Sequence, residues 1–232
     1  LILEIITVAV LIVLSLYDIK TRELPRGLVY SSLLLLLIGR ILYGVSVPHR
    51  LLLVYVMFDS ILLAMMALMA WLGFIGWGDV AALAIITVSS PTPSYAAHIM
   101  PPLLLVLIYY VVIVGIIMVS TAIYNAVLHR DALSKLPGRY KAIYLFIARP
   151  MRAQEILKKP GWWYPLNLCG EYKTSFNIYM DPPDIVKQVK QALNKGCIKK
   201  DSIIWVTYGL PGLPIITLAY VLALIIGDKP FI

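Results

Sequence analysis

Residues 100–127 read MPPLLLVLIYYVVIVGIIMVSTAIYNAV, a stretch without a single Asp, Glu, Lys or Arg. A helix needs about 20 consecutive apolar residues to cross a bilayer, and this run exceeds that length. Working outward, comparable runs occupy 1–17, 28–44, 51–75, 79–97 and 203–226. The sequence therefore predicts an all-α polytopic membrane protein of six transmembrane helices. The whole chain of 232 residues agrees, being 61% hydrophobic and 14% charged, with a mean hydropathy of +0.87. Such apolar content excludes intrinsic disorder. Long continuous runs disfavour an outer-membrane barrel, whose strands would read as ten-residue alternating segments. The first run lacks a basic flank and a small-residue cleavage site and carries Glu4, so it is expected to stay as a span.

Charge placement sets the orientation. Fourteen of the 20 Lys and Arg fall between 129 and 202, against six acids. Lys20, Arg22 and Arg26 follow the first run, on the same side of a six-span chain. Positive-inside then places both segments in the cytoplasm and both termini outside, although Arg50 falls in an outer loop. A basic segment beside spans is what orientation and anionic lipid headgroups require, so the expected partners are membrane lipids and not nucleic acid.

Three domains are expected: helices 1 to 5 over 1–128, a basic cytoplasmic α+β insert over 129–202, and a last helix with an outer C-terminus over 203–232. Within the insert, 139–158 reads as a basic helix with an apolar side of Tyr140, Ile143, Tyr144, Phe146 and Ile147, suited to a membrane surface. Pro160 and Gly161 break it. Residues 163–180, WWYPLNLCGEYKTSFNIYM less its first Trp, place a glycine between two β-prone runs and predict a hairpin. Asp181-Pro182-Pro183-Asp184 starts a helix that runs to Asn194, with Gly196 near its stop. The two cysteines, Cys169 and Cys197, exclude a CxxC site and a secreted disulfide scaffold.

Carboxylates in an apolar chain are costly and each is a functional hypothesis. Asp18 closes the first run, at the helix end where the macrodipole disfavours a negative charge. Its ordinary alternative is an interfacial pair with Lys20 or Arg22. Asp79 ends Gly76-Trp77-Gly78-Asp79 just before an apolar run. Here the ordinary alternative is a helix N-cap, but two glycines around one residue also let the backbone approach another segment closely. With six spans, the first helix ends and the fourth begins on the cytoplasmic side, so Asp18 and Asp79 share one depth. Two carboxylates that meet can share a proton, one as acid and one as base, and activate water against a peptide carbonyl. Asp59 lies deeper toward the outer face, at nearly the depth of Arg40, and is expected to pair with it. Glu23 is a loop acid that pairs with Arg26 or meets a basic substrate. Pro211 and Pro214 are expected to interrupt the last helix's hydrogen-bond ladder, either as a plain kink or as irregular backbone that holds a substrate strand.

Tyr17-Asp18-Ile19-Lys20-Thr21-Arg22-Glu23-Leu24-Pro25 after a first span, Gly76-Trp77-Gly78-Asp79 opening the fourth, and the closing Trp205–Pro214 stretch together resemble the GxGD aspartic proteases. More narrowly, the chain resembles the archaeal preflagellin and type IV prepilin peptidases, the class III signal peptidases. The resemblance covers nearly the whole chain. It implies a membrane endopeptidase that removes the short basic leader of archaellin and pilin precursors at the cytoplasmic face. It places Asp18 and Asp79 at the family's catalytic pair, with Gly76 and Gly78 as motif support, and Glu23, Pro211 and Pro214 as substrate-binding candidates. Bacterial relatives carry a four-cysteine zinc motif and a methyltransferase activity. With two cysteines here, neither a metal nor a cofactor is expected. The rivals are a presenilin-like or signal-peptide-peptidase-like protease, which has more spans, an ion-coupled transporter, which predicts inverted repeats, and a non-catalytic membrane scaffold.

Overall fold

The computed structural model describes residues 2–43, 49–90, 100–158, 161–177 and 180–227. In chain order the elements are α1 (Ile2–Thr21), α2 (Arg26–Tyr43), α3 (His49–Trp71), α4 (Trp77–Ser89), α5 (Pro102–Leu128), α6 (Arg130–Ser134), α7 (Gly138–Ile147), β1 (Arg149–Arg152), α8 (Ala153–Lys158), β2 (Trp163–Pro165), β3 (Asn167–Leu168), β4 (Glu171–Tyr172), α9 (Pro182–Asn194), β5 (Ile203–Tyr208) and α10 (Gly212–Ile225). They group into two compact units, one within 1–114 and 211–232 and one within 115–210, the division falling inside α5.

Mostly helical with a small strand-containing unit, the chain is a membrane protein. Ile2–Thr21, Arg50–Trp71 and Pro102–Leu128 have the length and apolarity to cross a bilayer, while Trp77–Ser89 and Gly212–Ile225 are apolar but shorter. The last expected span, 203–226, is corrected: it divides into strand β5 and helix α10. All six residues from Ile203 to Tyr208 are β-branched or aromatic, and Gly209, Leu210 and Pro211 separate them from the helix. Of the fourth expected span, α4 covers the part to Ser89, and residues 91–97 lie outside the described residues. At 1.5 Å per residue α4 and α10 are each about 20 Å long, against about 30 Å of hydrocarbon.

In the first unit α4 is central, packing on α1, α2, α3 and α10, and α1 lies along α10. Leu11, Leu14, Leu36, Leu83, Ile85, Ile86 and Ile216 build the core. The outward faces stay apolar, as with Leu34, Leu35, Leu37 and Ile38 of α2, which is the surface a lipid environment accepts. Buried hydroxyls add direction to this packing. Ser15 of α1 and Thr217 of α10 share a 2.8 Å hydrogen bond, and Thr217 also donates to the Leu213 carbonyl. At the far end of α4, the Arg40 guanidinium donates to the Ser89 carbonyl, and the hydroxyls of Ser90 and Tyr220 meet at 2.8 Å. The Arg40 contact satisfies a carbonyl at the C-terminal end of α4 that has no intrahelical partner.

Arg40 is attracted by Glu4 and held at Ser89, so the expected Asp59–Arg40 pair is corrected. Asp59 is fully buried, and among the described residues neither oxygen has a hydrogen-bond partner. The Leu103 backbone, at the start of α5, interacts with it. Both α2 and α3 pack on α4, so equal depth along the bilayer did not make Arg40 and Asp59 neighbours.

The second unit is built on an antiparallel sheet ordered β1-β5-β2, with Pro150 opposite Trp205 and Tyr164 opposite Thr207. Ile185 and Val189 of the amphipathic α9 pack with Ile156, Tyr164, Ile204 and Val206. Helix α9 starts after Asp181, with Pro at its first positions, and Gly196 follows it at φ +73°. The hairpin forms as β3–β4, turning through Cys169 at φ 52° and Gly170 at φ 84°. The long basic helix over 139–158 is corrected to α7, β1 and α8. Pro150 biases its predecessor to an extended backbone, and the Arg149–Arg152 segment pairs with β5.

Two buried polar groups hold this unit together. The Asn125 amide nitrogen of α5 donates to the carbonyls of Leu145 at 2.9 Å and Ala148 at 2.6 Å, capping the end of α7. The Tyr144 hydroxyl lies between the Leu166 and Lys173 carbonyls at 2.8 and 2.9 Å. Burial pushes that hydroxyl up to about 12. Cys169 and Cys197 form a disulfide that ties the hairpin turn to the end of α9. The sequence reading had assigned these cysteines no role.

Candidate functional site

Helix α1 does not stop at its apolar run but continues to Thr21, which puts Asp18 inside the last turn. The next residue, Arg22, has φ 58° and donates its backbone N–H to the Asp18 carbonyl at 3.2 Å. A left-handed residue just past a helix end commonly closes it, and glycine is the usual occupant. Here the position carries a guanidinium instead. Asp18 is buried, at 9% exposure, and its Oδ2 accepts the Leu213 backbone N–H at 3.2 Å.

Asp79 arrives from α4. Gly76, not Asp79, is the N-cap, so Asp79 occupies the third helical position and the N-cap reading is corrected. From there its Oδ2 reaches back to accept the Gly76 N–H at 3.3 Å. The same carboxylate lies against the α carbon of Gly212. The motif glycines differ in what they do. A Cβ on Gly78 would come within 3.1 Å of Leu24 and 3.6 Å of Leu213, so glycine there permits close approach. A Cβ on Gly76 would make only ordinary contact, 3.6 Å from Asp79.

Helix α10 is what the two carboxylates have in common. Its first two residues, Gly212 and Leu213, touch Asp79 and Asp18 respectively. Each carboxylate also feels Arg22, and Asp79 feels the charge of Asp18. Pro211 is the N-cap of α10 and Pro214 sits in its first turn. The expected interruption of the ladder is therefore corrected: N–H groups of a first turn have no intrahelical partner, so proline there removes nothing. Glu23 is exposed between α1 and α2 and makes no ion pair with Arg26 among the described residues. The site also takes in Tyr110, Gly212 and Leu213, which the sequence does not single out, and Arg22, which it offers only as an ion-pair partner of Asp18. Tyr110 of α5, which feels Asp79, had no signal in the sequence. The left-handed Arg22 had a weak one, as a cation placed between a helix and a Glu-Leu-Pro turn.

Two acids from sequence-distant helices thus converge at the start of a third. Residues 5–120, half of the chain, match the type IV leader peptidase family. The chain belongs to that family. Residues 140–229 match the archaeal peptidase A24 C-terminus type II. No curated protein matches the chain. The leader peptidase family match spans both Asp18 and Asp79, and the C-terminal match spans the first turn of α10 that meets them. The chain is accordingly a membrane-bound peptidase of the prepilin and preflagellin processing type.

Proposed function

We propose that this leader peptidase is an aspartic endopeptidase of the GxGD type in which Asp18 and Asp79 activate water. The observation that carries the reading is the delivery of both carboxylates to adjacent residues of α10. With one proton between them, the ionised member takes a proton from water. The resulting hydroxide attacks the peptide carbonyl carbon while the protonated member donates to the carbonyl oxygen. Collapse of the tetrahedral intermediate returns a proton to the departing amine. Neither step needs a metal or a cofactor.

The substrates are archaellin and type IV pilin-like precursors, cut between a short basic leader and an apolar helix. Helices α1 to α5 and α10 all lie in the cell membrane. The short α4 and α10 leave the acid pair in a wetted recess at the cytoplasmic end of α1. Glu23, exposed beside this end, attracts the leader's Lys or Arg, and the first turn of α10 with Pro211 and Pro214 borders the extended scissile segment. The basic 129–202 insert faces the cytoplasm and its anionic lipid headgroups.

The test is cleavage of archaellin-like and pilin-like precursors in liposomes, read by mass spectrometry. Asp18→Asn and Asp79→Asn each abolish cutting, while Asp59→Asn, folded, retains it. Cutting that survives both substitutions sinks the proposal and moves attention to a transport role.

A further inference from the structure

We propose that Gly212 is a positioning residue that sets where the Asp79 carboxylate stands relative to Asp18; this rests on the two-aspartate reading above. Gly212 has no conformational reason to be a glycine. Gly73, Gly170, Gly196 and Gly227 have positive φ, and Gly212 does not. It occupies the first helical position of α10. Glycine brings no helix-forming advantage over alanine at such a position. What glycine supplies here is space. A Cβ at 212 would stand 2.6 Å from the Asp79 Cγ and 2.8 Å from its Oδ2, well inside contact distance.

Asp79 has little freedom to withdraw. Its Oδ2 is held by the Gly76 N–H on one side. Its own helix is anchored by the buried Val80, Leu83 and Ile86, and Gly78 is packed against Leu24 and Leu213. The carboxylate is therefore seated between the Gly76 N–H and the Gly212 α carbon. One residue on, the Leu213 N–H fixes Asp18. Pro211 and Pro214 contribute no N–H, so the backbone donors of this turn are those of Gly212 and Leu213. One rigid turn thereby indexes both acids, and the Ser15–Thr217 contact holds it in register with α1.

The test pairs kinetics with a stability cycle on the full chain in detergent. Gly212→Ala lowers kcat on a precursor peptide by about 100-fold, the scale of a misplacement of about 1 Å, and leaves KM within about threefold. Gly115→Ala, at a helical glycine with open space around it, keeps wild-type kinetics. Thermal unfolding of the wild type, Gly212→Ala, Asp79→Ala and the double variant completes the cycle. Gly212→Ala lowers Tm in the wild type and raises it in the Asp79→Ala background, because the three atoms nearest the added methyl group all belong to that carboxylate. A Gly212→Ala chain that folds only in the Asp79→Ala background gives the same answer. Additive Tm changes, unfolding in both backgrounds, or a kcat within threefold of wild type overturns the inference. Loss of the two-aspartate reading is separate, since that requires Asp18→Asn and Asp79→Asn to cleave.

Discussion

Opening the Cys169–Cys197 bond should loosen the second unit by an amount its loop fixes. The bond spans 28 positions and encloses β4 and α9. Closing a loop of that length removes about 12 cal/mol/K of unfolded-chain entropy, or about 3.6 kcal/mol at 25 °C. Reduction should therefore raise the population of the opened unit about 400-fold. The assay is limited proteolysis of the full chain in detergent, with cuts between 170 and 196 mapped by mass spectrometry. Protease is kept scarce, so that cutting follows the open population. Reducing agent and the Cys169→Ala/Cys197→Ala variant should agree, with thiol titration confirming two released groups. Acceleration below about tenfold with both thiols free would refute the entropic account. Two reactive thiols before reduction would refute the bond itself. The proposed orientation puts this segment in the cytoplasm, where disulfides persist in hyperthermophilic archaea and are reduced in most other cells. Extraction under alkylating conditions thus also reports the redox state of the compartment that holds this segment.

Asn125→Leu strips the cap from α7 and leaves the Leu145 and Ala148 carbonyls buried without that donor; a loss of about 2–3 kcal/mol is expected in urea unfolding of the second unit. The raised Tyr144 hydroxyl, about 12 against an ordinary 10, means the folded unit holds its proton more tightly than the unfolded chain. Its stabilisation is therefore complete below pH 10 and is lost as pH rises toward 12, and Tyr144→Phe should flatten that limb of the stability profile. Gly78→Ala must push Leu24 aside and should cost about 1 kcal/mol or more by overpacking, whereas Gly76→Ala should shift Tm far less; equal effects would count against the packing role assigned to Gly78.

Much of this architecture is legible in one dimension because it depends on local chemistry. Apolar length announces α1, α3 and α5, and Asp181-Pro182-Pro183 and Gly196 bracket α9. The Cys169-Gly170 turn is foreshadowed by a glycine between β-prone runs. The two acids stand out because an apolar chain has few reasons to carry them. What stayed hidden depends on contacts at long sequence separation. Ile203 to Tyr208 have the composition of a span, and only pairing with β1 and β2 makes them a strand. Arg40 and Asp59 match in depth, but which way each faces around its helix is set by packing on α4. The cysteine partnership and the space at Gly212 are likewise properties of two segments at once.

The shortness of α4 and α10 connects these observations to chemistry. A peptidase in a bilayer must bring water to an apolar substrate without leaving backbone groups unsatisfied. In the proposed membrane placement a helix of about 20 Å does not reach both surfaces, so one of its ends lies below the headgroups. For α4 the carbonyl end is the one built into protein, through Arg40 at Ser89 and the Ser90–Tyr220 contact. The opposite end, carrying Asp79, is free to define a recess. For α10 the amino end performs the same service, with two prolines that need no partners and a Leu213 N–H given to Asp18. Polar fixtures at one end of the bundle and carboxylates at the other are thus parts of one arrangement. It predicts that Arg40→Leu, far from the acids, lowers cleavage by letting α4 shift along its axis, and that a precursor-cleavage assay with unchanged kcat in a folded Arg40→Leu chain would break that link.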